Sequence, residues 1–162
     1  ASHDIDLTAW VTQQEFVTVN ARTAFRSGRE HEDMLVAVGT LSDGTITSHT
    51  VNWLTPFKER TTIITGEKGA LVADTLTADL THYQNGVIQN TWDDISRFRG
   101  VSEGDVTRFA LDKKEPLRAE HEAFRDAVIT GNVEGIVTLA EGTNVVKIAE
   151  DMALDGQNYR IQ

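Results

Sequence analysis

The first residues of the chain place a histidine and an acid one helical turn apart. His3 and Asp6 are separated by three positions, so on a helix their side chains lie on the same side. A carboxylate at this spacing can orient an imidazole, and the positive end of a helix disfavours an imidazolium, which keeps the ring able to accept a proton. The spacing predicts a general base at His3. The alternative is that both residues only cap the helix or face solvent.

Residues 3–12 predict the short helix that would hold this pair. Ser2 is the expected N-cap. Leu7, Trp10 and Val11 recur at spacings of three and four, which predicts an apolar stripe buried against the rest of the protein.

A run of strand-like segments follows this helix. Asp43-Gly44 predicts the tight turn of a hairpin, and Asn85-Gly86 predicts a second one. Neighbouring strands joined by tight turns pair antiparallel, since parallel neighbours need long crossovers. Residues 93–104 are expected to form a surface loop. The strands are predicted at residues 16–25, 34–41, 45–53, 60–65, 70–73, 79–84, 87–92 and 106–111.

Two helices are predicted after these strands. The first begins near Pro116 and ends at Gly131, and the second covers residues 138–154 and ends at Gly156. Residues 159–161 are expected to add a short strand. The apolar stripe of the first helix includes a histidine expected to pack in it: Leu117, His121, Phe124 and Val128. This order predicts one α+β domain over residues 1–162, a large, mainly antiparallel, open-faced sheet with helices packed on one face.

Composition excludes several classes of function. A net charge of -10 and an isoelectric point near 4.8 argue against nucleic-acid binding, which needs clustered Lys and Arg. The chain has no cysteine, no apolar run long enough for a membrane span and no signal-peptide pattern, so we expect a cytoplasmic protein. Its five histidines lack zinc-ligand spacing, so no metal site is expected.

Three motifs together resemble one enzyme family. They are the helix start His3-Asp4-Ile5-Asp6-Leu7 with Trp10, the turn Gly66-Glu67-Lys68-Gly69-Ala70-Leu71, and Phe124-x-x-Ala127-Val128 in a late helix. This arrangement resembles the C-terminal domain of the Gfo/Idh/MocA oxidoreductases, which include inositol dehydrogenases and glucose–fructose oxidoreductases. The resemblance covers essentially all 162 residues, and the His-x-Ile-Asp-Leu helix start is its most specific motif. It implies the dihydrodipicolinate reductase-like C-terminal fold.

The resemblance implies a role for several residues. His3 would be the general base that takes a hydroxyl proton while hydride leaves for a nicotinamide, and Asp6 would lie at the substrate. Lys58 falls in a region that contacts substrate in this family, although a lysine there is also typical of a solvated strand end. His49 and Asn52 are candidate substrate contacts from a nearby strand, or else part of a solvent face or a domain interface.

The sequence also departs from the family pattern. The aspartate that precedes the motif histidine by four residues would fall before Ala1, and no Gly-x-Gly-x-x-Gly occurs. The family's Glu-Lys-Pro motif is absent, because here Lys114-Glu115-Pro116 has another order. We therefore expect a substrate-binding and oligomerisation domain without its upstream Rossmann domain.

Several expectations follow for the whole enzyme. It would use NAD or NADP to oxidise a polyol, sugar or related hydroxy compound, and would form a homo-oligomer through the open sheet face. The 162-residue chain alone is expected to bind no cofactor and to be inactive. The alternative is a stand-alone ligand-binding or oligomerisation module, in which His3 and Asp6 only cap the helix.

Overall fold

The computed structural model describes residues 1–86 and 102–159. The helices in these ranges are α1 (Ser2–Thr12), α2 (Pro116–Thr130) and α3 (Leu139–Gln157). The strands are β1 (Phe16–Ala24), β2 (Met34–Leu41), β3 (Ile46–Asn52), β4 (Thr61–Gly66), β5 (Gly69–Asp74), β6 (Asp79–Gly86) and β7 (Ser102–Phe109). Every pairing between these strands is antiparallel, which confirms the predicted α+β class.

The described strands form two sheets where the sequence predicted one large sheet. One sheet has the order β1-β2-β3 and the other has the order β4-β5-β6-β7. The chain divides accordingly into two compact units. Unit 1 contains Ala1–Pro56 and Glu120–Gln162, and unit 2 contains Phe57–Ala119.

The core of unit 1 lies between its three-stranded sheet and α3. Burial alternates along β2, as expected for a strand with one covered face. The covered face carries Leu35 and Ala37 of β2, and α3 contributes Met152, which has no exposed surface. The complete cluster of buried residues is Ile5, Ala21, Leu35, Ala37, Val145, Ile148 and Met152. We call this side of the sheet the helix-covered face.

The end of α3 approaches β1 closely. The Asp155 carboxylate accepts a hydrogen bond of 2.7 Å from the Ala21 backbone N–H. Gly156 is buried next to Thr23, and a Cβ atom at Gly156 would stand 2.5 Å from the Thr23 Cγ2 atom. The sequence predicted that Gly156 ends this helix, and that prediction was wrong because α3 continues to Gln157. Gly156 instead allows the helix to contact the strand.

We expect Gly156→Ala to lower the free energy of unfolding by about 1–3 kcal/mol, because the added methyl group overpacks a contact with the branched side chain of Thr23. Gly142 is a matched control in the same helix, since a Cβ atom there would meet nothing within 4 Å. Gly142→Ala should raise the stability by about 0.5–1 kcal/mol through helix propensity. Urea unfolding of both variants measures the difference, and equal effects would refute the close contact.

Asp33 organises the loop between β1 and β2. Its buried carboxylate accepts hydrogen bonds from the Arg26 and Ser27 backbone N–H groups and from the Ser27 hydroxyl, at 2.6, 2.7 and 2.5 Å. These bonds, that from the Ser27 hydroxyl above all, lower the pKa of Asp33 from 3.8 to about 2. The loop between β1 and β2 is therefore held by Asp33 at its end.

The lowered pKa of Asp33 predicts how stability depends on pH. A group whose pKa is depressed by folding stabilises the protein above its unfolded pKa, and that contribution is lost as the pH falls from about 4 to about 2. We expect Asp33→Asn to be less stable than the wild type at neutral pH, with a flatter pH dependence of stability in this window. Asp151→Asn, at an exposed position of α3, is the control. Equally steep acid profiles in the wild type and Asp33→Asn would contradict the assignment.

In unit 2 one predicted turn is confirmed and the other is wrong. Gly66 pairs with Gly69 at the end of the β4–β5 hairpin, as predicted for the Gly-x-x-Gly turn. Asn85 and Gly86, predicted as a tight turn, continue β6 and pair with Glu103 and Ser102. The Asn85 amide also donates to the Glu67 carbonyl at 3.0 Å, which favours the extended strand over the turn.

Some of the segments predicted after β6 and at the end of the chain lie partly outside the described residues. The predicted strand at residues 87–92 and residues 93–101 of the predicted loop lie outside the described residues. Residues 102–104 of that loop instead begin β7, which ends at Phe109. Of the predicted strand at residues 159–161, only Tyr159 is described, and it lies in a turn.

Several helix predictions also need correction. The N-cap of α1 is Ala1 and not Ser2, and no side chain caps it. In α2 the predicted stripe is exposed: Leu117, Phe124 and Val128 are 58%, 61% and 69% exposed, and His121 is exposed as well. The buried residue of α2 is Ala127, so its predicted apolar face is open to solvent. In the part of the chain that is described, none of the helices has the length and apolar character needed to cross a membrane.

Candidate active site

The first turn of α1 is fixed to the core of unit 1 by Ile5. This side chain is 1% exposed and belongs to the core cluster, and half-buried Ala1 packs against the same cluster. The Ala1 carbonyl accepts hydrogen bonds of 3.0 Å from the backbone N–H groups of Asp4 and Ile5. The turn that carries His3 is therefore fixed to the core of unit 1 by Ala1 and Ile5.

His3 itself points away from this core. It precedes Ile5 by two residues, which turns its side chain to the opposite side of the helix, and it is exposed. Within the described part of the chain we find no hydrogen bond or ion pair to its ring. Asp6 lies on the same side one turn later and is half-buried. An imidazole in this position is available to exchange a proton with a bound hydroxyl group.

The apolar ridge of α1 lies beside His3 and does not face the core as predicted. Leu7 is half-buried, whereas Trp10 and Val11 are 69% and 39% exposed. Ile5 is the buried residue of this helix, and α1 contacts α3. The exposed surface next to His3 is thus apolar and aromatic.

His49 lies on the helix-covered face of β3. Its side chain is 7% exposed. The ring packs against Phe16 with the two ring centroids 5.8 Å apart, and its Nε2 atom lies 3.1 Å from the Thr47 hydroxyl. Burial lowers the pKa of His49, the Asp4 carboxylate raises it, and the amino group of Ala1 lowers it.

Asn52 and Lys58 lie elsewhere. Alternation along β3 places the Asn52 side chain on the exposed face, opposite His49. The Asn52 side-chain oxygen accepts a hydrogen bond of 2.8 Å from the Leu54 N–H and so holds the turn after the strand. Lys58 is exposed and belongs to unit 2, whereas the other predicted site residues belong to unit 1. The structure therefore places His3 and Asp6 on one side of α1, whereas His49 and Asn52 lie on opposite faces of β3.

The residues that surround His49 were not predicted from the sequence. Phe16 packs against its ring and the Thr47 hydroxyl lies beside its Nε2 atom. A Cβ atom at Gly39 would stand 2.7 Å from the Thr47 Oγ1 atom and 2.9 Å from the Phe16 ring. Alternation of polar and apolar residues in β3 was a usable signal, because Thr47, His49 and Val51 share one face. Nothing local in the sequence connects Asp4 with His49.

Other ligand sites are few among the described residues. These residues contain no group of three or more His, Cys, Asp or Glu side chains that could hold a metal ion. The sequence contains no Gly-x-Gly-x-x-Gly dinucleotide fingerprint. A cleft of about 380 Å³ in unit 2 lies on β5, β6 and β7 and contains none of the predicted site residues.

Residues 1–72 match the family model described as the GFO/IDH/MocA C-terminal domain. The matched segment covers less than half of the 162 residues, so it shows a likeness to this family in that segment. The resemblance inferred from the His-x-Ile-Asp-Leu helix start is therefore confirmed, since that motif lies in the matched segment. No curated protein matches the sequence.

Solved structures with the same fold match nearly the whole chain. The chain is similar to the UDP-N-acetylglucosamine 3-dehydrogenase GnnA from Acidithiobacillus ferrooxidans, with 23% identity, a TM-score of 0.77, and coverage of 98% of this chain and 46% of that one. The chain is also similar to the WlbA dehydrogenase from Bordetella pertussis, solved with NADH and UDP-GlcNAcA. The identity is 23% and the TM-score 0.61, and the match covers 98% of this chain and 41% of that one. A third similar structure is a super-repressor mutant of Gal80p from Saccharomyces cerevisiae. Its identity to this chain is 17% and the TM-score is 0.71, with 97% of this chain and 46% of that one covered.

These similarities establish the fold of this chain. The chain spans less than half the length of each of the three proteins. Two of these proteins are named as dehydrogenases and the third as a super-repressor mutant, so this fold accompanies different functions.

Proposed function

We propose that this chain is the substrate-binding half of an NAD(P)-dependent oxidoreductase that acts on a polyol, a sugar or a related hydroxy compound. The observation that carries the proposal is the exposed imidazole of His3 at the start of α1, with Asp6 on the same side of the helix. Both residues lie in the segment that matches the family model. The sequence motif and the exposure of the imidazole ring therefore both support His3 as the catalytic residue.

His3 is proposed to act as the general base. Its free ring nitrogen takes the proton of the substrate hydroxyl, and Asp6 orients that hydroxyl or the ring. As the O–H bond breaks, the carbon–hydrogen bond of the same carbon breaks as well, and the alcohol becomes a carbonyl. A nicotinamide held outside this chain would accept the hydride. The apolar surface around Trp10 is suited to exclude water from the reacting groups.

The other predicted site residues take separate roles in this proposal. Lys58 is exposed and can contact a hydroxyl or an anionic group of the substrate. Asn52 holds the turn after β3 with its side-chain oxygen, so its amide nitrogen remains for a ligand. His49 is buried, so we assign it no direct contact with the substrate.

The fold neighbours suggest which sugars to test first. Two of them are named for, or solved with, a UDP-linked sugar compound. A nucleotide-linked sugar is therefore included among the candidate substrates, with polyols and free sugars.

We also propose a cytoplasmic homo-oligomer. Its interface would be the open face of the three-stranded sheet, where Val36, Val38 and Ile46 are 38%, 49% and 75% exposed.

A non-catalytic binding or oligomerisation module is the second candidate function. The similarity in fold to a super-repressor mutant of Gal80p favours it, because that protein is named as a repressor and not as an enzyme. In this candidate His3 and Asp6 are surface residues of a helix start.

The coding sequence upstream of Ala1 separates the two functions at little cost. The oxidoreductase requires an in-frame strand followed by Gly-x-Gly-x-x-Gly, and an aspartate four residues before His3. A stop codon or a promoter directly upstream would instead reject the oxidoreductase and support the non-catalytic binding module. An upstream domain of another type would also reject the oxidoreductase.

A further inference from the structure

β1 is an edge strand of the three-stranded sheet in unit 1. Among the described strands it pairs with β2 on one side only. Its residues 16–21 are uncharged, mostly β-branched or aromatic, and free of proline. A segment of this kind on an exposed edge readily pairs with an identical strand of another molecule. The outer edge of β1 is therefore a place where a second copy of the chain could add its own β1.

The backbone of Ala21 faces this outer edge and is occupied by side chains. Its N–H donates to the Asp155 carboxylate at 2.7 Å, and its carbonyl accepts a hydrogen bond of 2.7 Å from the Arg22 guanidinium. In an antiparallel pair, every second residue directs its N–H and C=O away from the neighbouring strand. Both outward groups of Ala21, which an added strand would use, are therefore already bonded.

A third side chain holds the arginine in this place. The guanidinium carbon of Arg22 lies 3.5 Å from the centre of the Tyr159 ring, a distance at which the cation and the ring attract each other. Tyr159 lies in the turn after α3, and Asp155 lies in the last turn of the same helix. The end of α3 thus supplies two of the three side chains, and the contact of Gly156 with Thr23 brings it close enough to β1.

We propose that Asp155, Arg22 and Tyr159 close the edge of β1 against the β1 strand of a second copy of this chain. We call these three residues the edge cap. The cap places a carboxylate and a guanidinium where the added strand would have to place its own backbone, and charged side chains on an edge oppose strand addition. An added strand would have to break both hydrogen bonds of Ala21 and the ring contact of the guanidinium. The inference is independent of the proposed oxidoreductase activity.

A peptide with the sequence of β1 tests the edge cap. Residues 16–24 are synthesised with a fluorophore and uncharged ends, and binding to the chain is followed by fluorescence anisotropy. We expect the double variant Arg22→Ala and Asp155→Ala to bind this peptide about tenfold or more tighter than the wild type does, because two backbone hydrogen bonds become available to the peptide. The same peptide with Val19→Pro should not bind, since proline is not tolerated inside a pairing strand.

Asp155→Asn and Ile148→Val distinguish the edge cap from a general loss of stability. The side-chain amide oxygen in Asp155→Asn can still accept from the Ala21 N–H, so this variant should bind the peptide as weakly as the wild type. Ile148→Val shortens a buried side chain of the same helix and leaves the cap in place, so the same result is expected. Equal binding by Ile148→Val and the double variant would overturn the proposal, because looser packing alone would then expose the edge.

Arg22→Ala alone is the second variant, in case the double variant does not fold. Arg22 is exposed, and its replacement frees the Ala21 carbonyl while the Asp155 hydrogen bond remains. This variant should bind the peptide more tightly than the wild type and less tightly than the double variant. A wild type that binds the peptide as tightly as the variants, or variants that do not bind it, would overturn the proposal.

Discussion

Replacing His3 by alanine in the full-length protein is expected to reduce kcat by about 10²–10⁴, the usual contribution of a positioned general base. The affinity for NAD or NADP should not change, because no residue of α1 is assigned to the cofactor. The ring of His3 is exposed and does not contribute to the core of unit 1, so folding should be preserved. Steady-state kinetics and a dinucleotide-binding titration on the same preparation measure the two effects.

His31→Ala is the matched control for this substitution. His31 is also exposed, but it lies in the loop between β1 and β2 and not on α1. Its replacement should leave kcat within about twofold of the wild type, since an exposed loop side chain rarely affects stability or chemistry. Turnover retained in His3→Ala would remove His3 from the mechanism, whereas an equal loss in both variants would indicate a general structural effect.

Replacing Met152 by alanine is expected to lower the free energy of unfolding by about 2–5 kcal/mol. Met152 is completely buried between α3 and the three-stranded sheet, and truncation leaves a cavity lined by the rest of the core cluster. Met152→Leu keeps most of the volume and should cost less than about 1.5 kcal/mol. Urea unfolding of the chain provides both values.

Val146 supplies the control on the same helix, because it is 54% exposed. Val146→Ala should change the free energy of unfolding by no more than about 0.5 kcal/mol. A similar small change in Met152→Ala would mean that α3 does not form the core of unit 1 as described.

Local signals were sufficient where the backbone alone determines the structure. The Asp43-Gly44 turn was predicted correctly because Gly44 adopts a φ of 88°, which glycine accepts without strain. The same reasoning failed at Asn85-Gly86, where pairing with β7 overrides the turn preference of that dipeptide. A dipeptide predicts a turn only if no neighbouring strand competes for its backbone.

Tertiary contacts explain the larger errors. The ridge Leu7-Trp10-Val11 has helical spacing, but α1 buries Ile5, and the spacing alone does not reveal which side of a short helix meets the core. In the candidate site, the proximity of His3 and Asp6 follows from helical geometry and was predictable. The packing of the His49 ring against Phe16 depends on the pairing of three strands, which no local pattern contains.

Transfer of deuterium from the substrate to the nicotinamide tests the proposed oxidoreductase most directly. The full-length protein is supplied with NAD or NADP and with polyols, free sugars or UDP-linked sugars deuterated at the carbinol carbon. We predict that the carbon-bound deuterium appears in the reduced nicotinamide, while the hydroxyl proton exchanges into water through His3. Dinucleotide binding without any transfer from these compounds, or no dinucleotide binding, would contradict the proposed function.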